Sequence, residues 1–199
     1  MRTNGQSQLS RKEQIISCFI EHVATLPYEE VTITSIASYL EISKGVMTYH
    51  YPRKQQLLRA AVETILGNYT DYLERVGASA QPANVEAQLR LYVRSVVGYM
   101  LEHPFELQAL QIAAQHLKAE DGAPLAEYYH QAAAHNLQAI LLAGCQSGEF
   151  RDHNIAMMAE LMLGCLDGML RQVARGDQAT EHNVADVESA IVRMVKQNS

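Results

Sequence analysis

An all-α fold is predicted by three features of the sequence. Apolar residues recur at three- and four-residue spacing almost from end to end, no segment alternates with period two, and five prolines and eleven glycines divide the chain into helix-length pieces. With 199 residues, 48% hydrophobic and 19% charged, the chain is globular and long enough to bury a real core. No stretch reads as a membrane span. The nine residues 1–9 are polar, lack an apolar signal core and read as a flexible tail. Cys18, Cys145 and Cys165 are scattered, odd in number and set in apolar surroundings, as reduced thiols of a cytoplasmic protein would be.

Taking the elements in order, Ser10 caps a first helix with Glu13 as its capping-box partner. Ile15, Phe19, Ile20 and Val23 make its apolar stripe, and Pro27 stops it. A short helix is expected over about 34–40 with Thr32 or its neighbour as cap. The turn Glu41-Ile42-Ser43 follows, then a second short helix over 44–50, ended by Pro52. A long helix is expected from 53 or 54 to about 76, with Leu57, Leu58, Ala61, Val62, Ile65, Leu66, Tyr69 and Leu73 on one side. Residues 77–84, GASAQPAN, read as a linker. Further helices are expected near 85–102, 104–118, 124–146, 153–175 and 184–197.

The most informative stretch is 32–58, TITSIASYLEISKGVMTYHYPRKQQLL, a helix, three-residue turn and helix. In such a unit the first helix braces the second, and the second lies in the major groove of double-stranded DNA. Ile36, Ala37, Leu40, Ile42, Val46 and Met47 are assigned to the inner surface. Thr34, Ser35, Lys44, Gly45, Thr48, Tyr49 and His50 are left to face DNA, with Lys54 beside a phosphate at the start of the long helix. Lysine suits a phosphate or a guanine edge, hydroxyl and imidazole groups suit phosphate oxygens, and Gly45 removes bulk where the backbone nears the groove. Charge distribution agrees: residues 1–60 carry seven Lys/Arg against five Asp/Glu, whereas 61–199 carry nine against seventeen. A mildly basic head on an acidic body favours DNA at one end only.

The residues Thr32, Ile36-Ala37, Ser43-Lys44-Gly45, Tyr49-His50-Tyr51, Lys54 and Leu57-Leu58 resemble the DNA-binding domain of TetR-type repressors. Helix order and lengths are similar to that family's nine-helix layout, and Gly148-Glu149-Phe150-Arg151 resembles a turn common before its eighth helix. The resemblance departs from the pattern at three positions. Glu41 replaces the usual turn glycine, so a non-glycine residue is expected in a left-handed conformation. Thr48 stands for the first tyrosine of the second helix, and Tyr51 for phenylalanine.

The resemblance implies a helix-turn-helix domain over 10–56 and a body over 57–199 that dimerises and binds a small molecule. For the dimer surface the last two helices are chosen, through Met158, Leu161, Cys165, Leu166, Met169, Val187, Ile191 and Met194. Ala156, Gly164 and Gly168 add small residues that allow close helix approach. For the pocket the polar or soft residues of the middle helices are chosen: Tyr92, Gln108, Gln111, His116, Tyr128, His135, Met158 and Met162. The effector is unspecified, although acidic and aromatic content suits a lipophilic cation. The implied function is a repressor released from a palindromic operator by a small molecule. The alternative is a related DNA-binding protein whose body holds a protein partner. No phosphate loop, nucleophile elbow or metal-ligand spacing is present, so no enzyme, cofactor or metal is expected.

Overall fold

The computed structural model describes residues 9–118, 125–174 and 181–196. Among these residues the chain forms nine helices and no strand. They are α1 (Arg11–Thr25), α2 (Ile33–Tyr39), α3 (Lys44–His50), α4 (Lys54–Ala80), α5 (Val85–Glu102), α6 (Pro104–His116), α7 (Leu125–Ser147), α8 (Ile155–Ala174) and α9 (Glu181–Val195). Of the tail expected over 1–9, only Leu9 falls within the described residues, and it is exposed.

Local chemistry sets the helix starts. The Ser10 hydroxyl accepts from the Glu13 N–H at 3.3 Å, and the Glu13 carboxylate accepts from the Ser10 N–H at 2.6 Å. Thr32 and Ser35 do the same for α2, each hydroxyl accepting from the other's backbone N–H at 2.9 Å. Ser43 caps α3 through the Val46 N–H at 3.2 Å, and Asn84 caps α5 through the Ala87 N–H at 2.8 Å. Between α2 and α3, Glu41 takes the left-handed conformation at φ 54°, as the missing glycine leads one to expect. That bend lets the Ile42 N–H donate to the Ala37 carbonyl at 3.0 Å, which locks the turn.

α4 runs four residues past the expected end, through Gly77 to Ala80. One glycine costs a helix about 1 kcal/mol, which neighbours such as Ala78 and Ala80 offset. The stop comes at Gln81, in a left-handed conformation at φ 36°, because Pro82 disfavours helical geometry there.

Two principal cores result. The first joins α1, α2, α3 and the first half of α4 around Phe19, Ile36, Met47, Leu57 and Leu58. It also takes in Ala109, Ala113 and Leu117 from α6 and the residue after it. The second joins α5, α7, α8 and α9 around Leu89, Leu137, Leu141, Met162, Ile191 and Val195. A small third cluster sets Tyr99, Met100 and Leu107 against Tyr69 and Tyr72. The head's core therefore continues past residue 56 into α4 and α6.

The turn after α7 fastens the body. Gly148 adopts φ 76°, a left-handed conformation that suits glycine. Arg151 then donates its backbone N–H to the Val195 carbonyl at 2.9 Å and its guanidinium to the Met194 carbonyl at 2.7 Å. The Glu149 carboxylate accepts from the Val85 N–H at 3.0 Å at the start of α5. Ahead of it Gly144 lies so close to the Phe150 ring that a Cβ there would fall 2.0 Å from it. Phe150 is thus seated by the absence of a side chain.

Two assignments of facing are corrected. Val46, expected inside, is 39% exposed, so Met47 alone of that pair fills the head's core. Met158, Leu166, Met169 and Ile191, expected at a dimer surface, are buried in the chain's own second core. Cys165, Val187 and Met194 are half-buried, and only Leu161 of that set is largely exposed, at 53%. Apolar residues cover so broad an arc of α8 that one part serves the chain's own core while another remains outside.

Candidate functional site

The outer face of α3 is built from the turn upward. Ser43 fixes the first turn, which projects Lys44 and Gly45 into solvent. A Cβ on Gly45 would meet only the Ser43 hydroxyl, at an ordinary 3.6 Å, so the chain itself leaves this surface open. One turn on, Tyr49 is 85% exposed and meets His50 edge to face at 5.2 Å. An aromatic side chain left so open is costly to hydrate and is suited to an external contact. Tyr39 at the end of α2 is 61% exposed and rests edge-on against His22. Thr34 is exposed, and His50 half-buried.

Three expected contact residues are engaged inside the chain. Thr48 donates its hydroxyl to the Lys44 carbonyl at 3.0 Å. Ser35 spends its hydroxyl on the α2 capping box, accepting from the Thr32 N–H and donating to the Thr32 carbonyl, both at 2.9 Å. Lys54 donates its ammonium to the Tyr28 carbonyl and holds it 3.5 Å from the centre of the Tyr28 ring. Burial lowers the pKa of Lys54, and the Glu29 carboxylate opposes that shift. Arg53, one residue earlier, is exposed at the start of α4. Sequence reasoning passed over it because the family pattern pointed to the neighbouring lysine.

The second site is a cavity of about 840 Å³ in the body. Leu66, Tyr69 and Leu73 enter from α4, Tyr92, Val96 and Met100 from α5, Gln111 and Ala114 from α6. α7 adds His130 and Asn136, and α8 adds Leu163, Leu166, Asp167 and Leu170. Burial, then the neighbouring tyrosines, raises the pKa of Tyr69, and burial pushes that of Tyr92 up to about 12. Both phenols are neutral at physiological pH. His130 Nε2 lies 2.7 Å from the Glu160 carboxylate.

Of the expected pocket residues, Tyr92 and Gln111 line this cavity. Met158 and Met162 lie instead in the second core, where Leu137 and Leu141 fill the space around them. His135 is exposed and Gln108 half-buried, both away from the cavity lining. The Tyr128 side chain is outside the described residues. His116 has another place: it stacks on Tyr28 at 4.1 Å. Among the lining residues not expected, Tyr69 and Asp167 sit on helices whose apolar stripes carry no mark of which flank meets a void.

His116 makes the two sites neighbours through one helix. α6 lines the cavity with Gln111 and Ala114, buries Ala113 and Leu117 in the head's core, and stacks His116 on the ring that also faces the Lys54 ammonium. At the same junction the Arg59 guanidinium donates to the Lys118 carbonyl at 2.8 Å.

A family model described as the tetracyclin repressor-like C-terminal domain matches residues 82–195. The chain belongs to the TetR family. Solved structures agree in fold. A bacterial regulatory protein in the TetR family from Rhodococcus RHA1 is 20% identical, with a TM-score of 0.75 over 96% of this chain and 100% of that one. The TetR family transcriptional regulator PfmR from Thermus thermophilus is 18% identical, with a TM-score of 0.73 over 96% and 100%. A protein of unknown function from Rhodococcus sp. RHA1 is 16% identical, with a TM-score of 0.76 over 98% and 100%. No curated protein is significantly similar in sequence. TetR proteins are DNA-binding transcription regulators, not enzymes, and this chain has their architecture from the helix-turn-helix to α9. None of its helices, among the described residues, is long and apolar enough to cross a membrane.

Proposed function

We propose that this TetR protein is a cytoplasmic repressor that binds a palindromic operator as a homodimer and is released by a small molecule. The observation that carries the DNA part is the outer face of α3, where Lys44, Gly45 and an 85% exposed Tyr49 share one open surface on a rigid, capped helix. Lys44 and Arg53 supply phosphate contacts, Tyr49 a hydroxyl, and the free N–H groups at the start of α4 an anion site. Lys54 braces this start through Tyr28.

The proposed dimer surface is the exposed flank of α8. Met157, Leu161, Gly164 and Gly168 fall on one side of that helix, and Met157 is 60% exposed. A Cβ on either glycine would meet nothing within 4 Å, so the chain's own packing does not require their small size. A partner helix does, if it is to approach closely. Two recognition helices then face half-sites about one helical turn, roughly 34–36 Å, apart.

Release works as a population shift. An effector in the cavity favours a body conformation in which α6 and α4 carry the head away from the spacing the operator needs. To empty the operator it must prefer that state by a few kcal/mol, about 5 for a near-complete switch. The large apolar cavity favours a small ligand over a protein partner for the body.

Binding of the purified protein to the DNA upstream of its own gene, at two salt concentrations with excess random competitor, tests the reading. Tight, competitor-resistant binding supports a specific regulator. Weak binding that competitor removes at both salts counts against this operator.

A further inference from the structure

The charges around the body cavity are one-sided. Among the described residues its lining contains no lysine or arginine. It contains one carboxylate, Asp167, on the solvent side of α8. The one imidazole in the described lining, His130, already has the Glu160 carboxylate 2.7 Å away. Arg171 follows one turn after Asp167 and is exposed, and it does not line the cavity. The rest of the described lining is apolar apart from the Tyr69 and Tyr92 rings, the Thr70 hydroxyl and the Gln111 and Asn136 amides.

We infer that the effector is a lipophilic organic cation, with the Asp167 carboxylate as its counter-ion and the Tyr69 and Tyr92 rings as its aromatic wall. The inference rests on the reading of this cavity as the effector site. A carboxylate or phosphate ligand would find no lysine or arginine in the described lining to replace its water, and would enter against Asp167. A cation meets a carboxylate at the mouth and the negative faces of neutral phenol rings within. At about 840 Å³ the cavity suits a drug-sized molecule, not an inorganic ion.

Tetraphenylphosphonium and tetraphenylborate are matched in shape and opposite in charge. Their binding to the intact protein is measured by calorimetry, with thermal melting as a check on each variant. The phosphonium is expected to bind at least about tenfold more tightly than the borate, and Asp167→Asn to weaken it by about tenfold. Tyr92→Phe keeps the ring and should bind as the native protein does, while Tyr92→Leu should lose several-fold. Equal binding of the two ions, binding of neither, or an unchanged phosphonium affinity in Asp167→Asn overturns the inference. A parallel titration on preformed protein–DNA complex separates it from the release mechanism. Selective phosphonium binding that leaves the complex intact removes release and keeps the charge reading. Release by a neutral or anionic compound while the phosphonium fails to bind does the reverse.

Discussion

Tyr49 and Lys44 point away from everything the chain itself needs. Tyr49→Ala should therefore leave thermal stability within about 0.5 kcal/mol, as for other surface substitutions. It should weaken operator binding by about tenfold, the scale of one hydrogen bond to a charged phosphate. Arg53 and Lys54 are adjacent yet differ in kind. Arg53→Ala is expected to lower the slope of log K against log salt by about one unit without altering the melting temperature. Lys54→Ala removes a tie between α4 and the Tyr28 carbonyl, so its main effect should be a lower melting temperature. Parallel salt titrations and melts of the two variants check this, and a Lys54→Ala protein that melts normally but loses a unit of slope would reverse the roles. The sequence shows Lys54 at the right place in the chain. It does not show that a tyrosine 26 residues earlier brings a carbonyl to its ammonium, because that contact depends on how the head closes.

At the scale of helices, starts were legible, stops less so, since α4 runs through Gly77 to Ala80 into the expected linker, and facing was only half so. Ser10, Thr32, Ser43 and Asn84 cap where hydroxyl or amide chemistry requires, and Pro52 and Pro104 delimit helices because proline fits a first turn but lacks the N–H that a continuing helix needs. Facing failed on α8, where Met157, Met158, Leu161, Met162 and Leu166 are alike in hydrophobicity but differ in surroundings. Met162 is fully buried, while Met157 is 60% exposed. A wide apolar arc reports two surfaces at once, and one sequence cannot apportion them. Charged substitutions separate them. Leu161→Glu should yield a folded monomer in sedimentation with helical content intact. Leu166→Asp, at 2% exposure, should lose on the order of 4 kcal/mol or more of stability, since it buries a charge in the core. A Leu161→Glu dimer would place the interface elsewhere.

The clamp between α5 and α9 is a second case the sequence hides. Glu188, 2% exposed, accepts from the Arg90 guanidinium at 2.7 Å and from Arg94 as well. Burial raises the pKa of this carboxyl, but the bonds from Arg94 and Arg90 outweigh it and hold the value below the ordinary one. The stabilisation is therefore present above the unfolded value, about pH 4, and is lost as pH falls through the depressed folded value. Melting temperatures from pH 7 down to 3 should fall less steeply on the acid side in Glu188→Gln, from a lower start at pH 7. Coincident acid limbs for the two proteins would mean the clamp contributes nothing to acid stability.

Across the whole molecule, packed side chains connect the cavity to the start of α4, beside the proposed DNA-facing surface. The cavity is walled in part by α6, α6 ends on Tyr28, and Tyr28 holds the residue that opens α4 behind the recognition helix. The helix-turn-helix was readable in advance because capping, turn and surface chemistry all coincide within 32–58, close together in sequence. The cavity was readable only as a region, since it is assembled from five helices and its lining depends on their final angles. The proposed palindromic operator requires the proposed homodimer, because only a two-fold pair of α3 helices selects a palindrome.

Selection of bound sequences from a random double-stranded DNA library by the purified protein tests that claim most directly. Enrichment of an inverted repeat is expected, with half-site centres about one helical turn, or a multiple of it, apart. The enrichment should disappear when the selection is repeated with a Lys44→Ala, Tyr49→Ala protein. A library that emerges unenriched, or an inverted repeat that the double variant selects equally well, would contradict the assignment of α3 as the element that reads DNA.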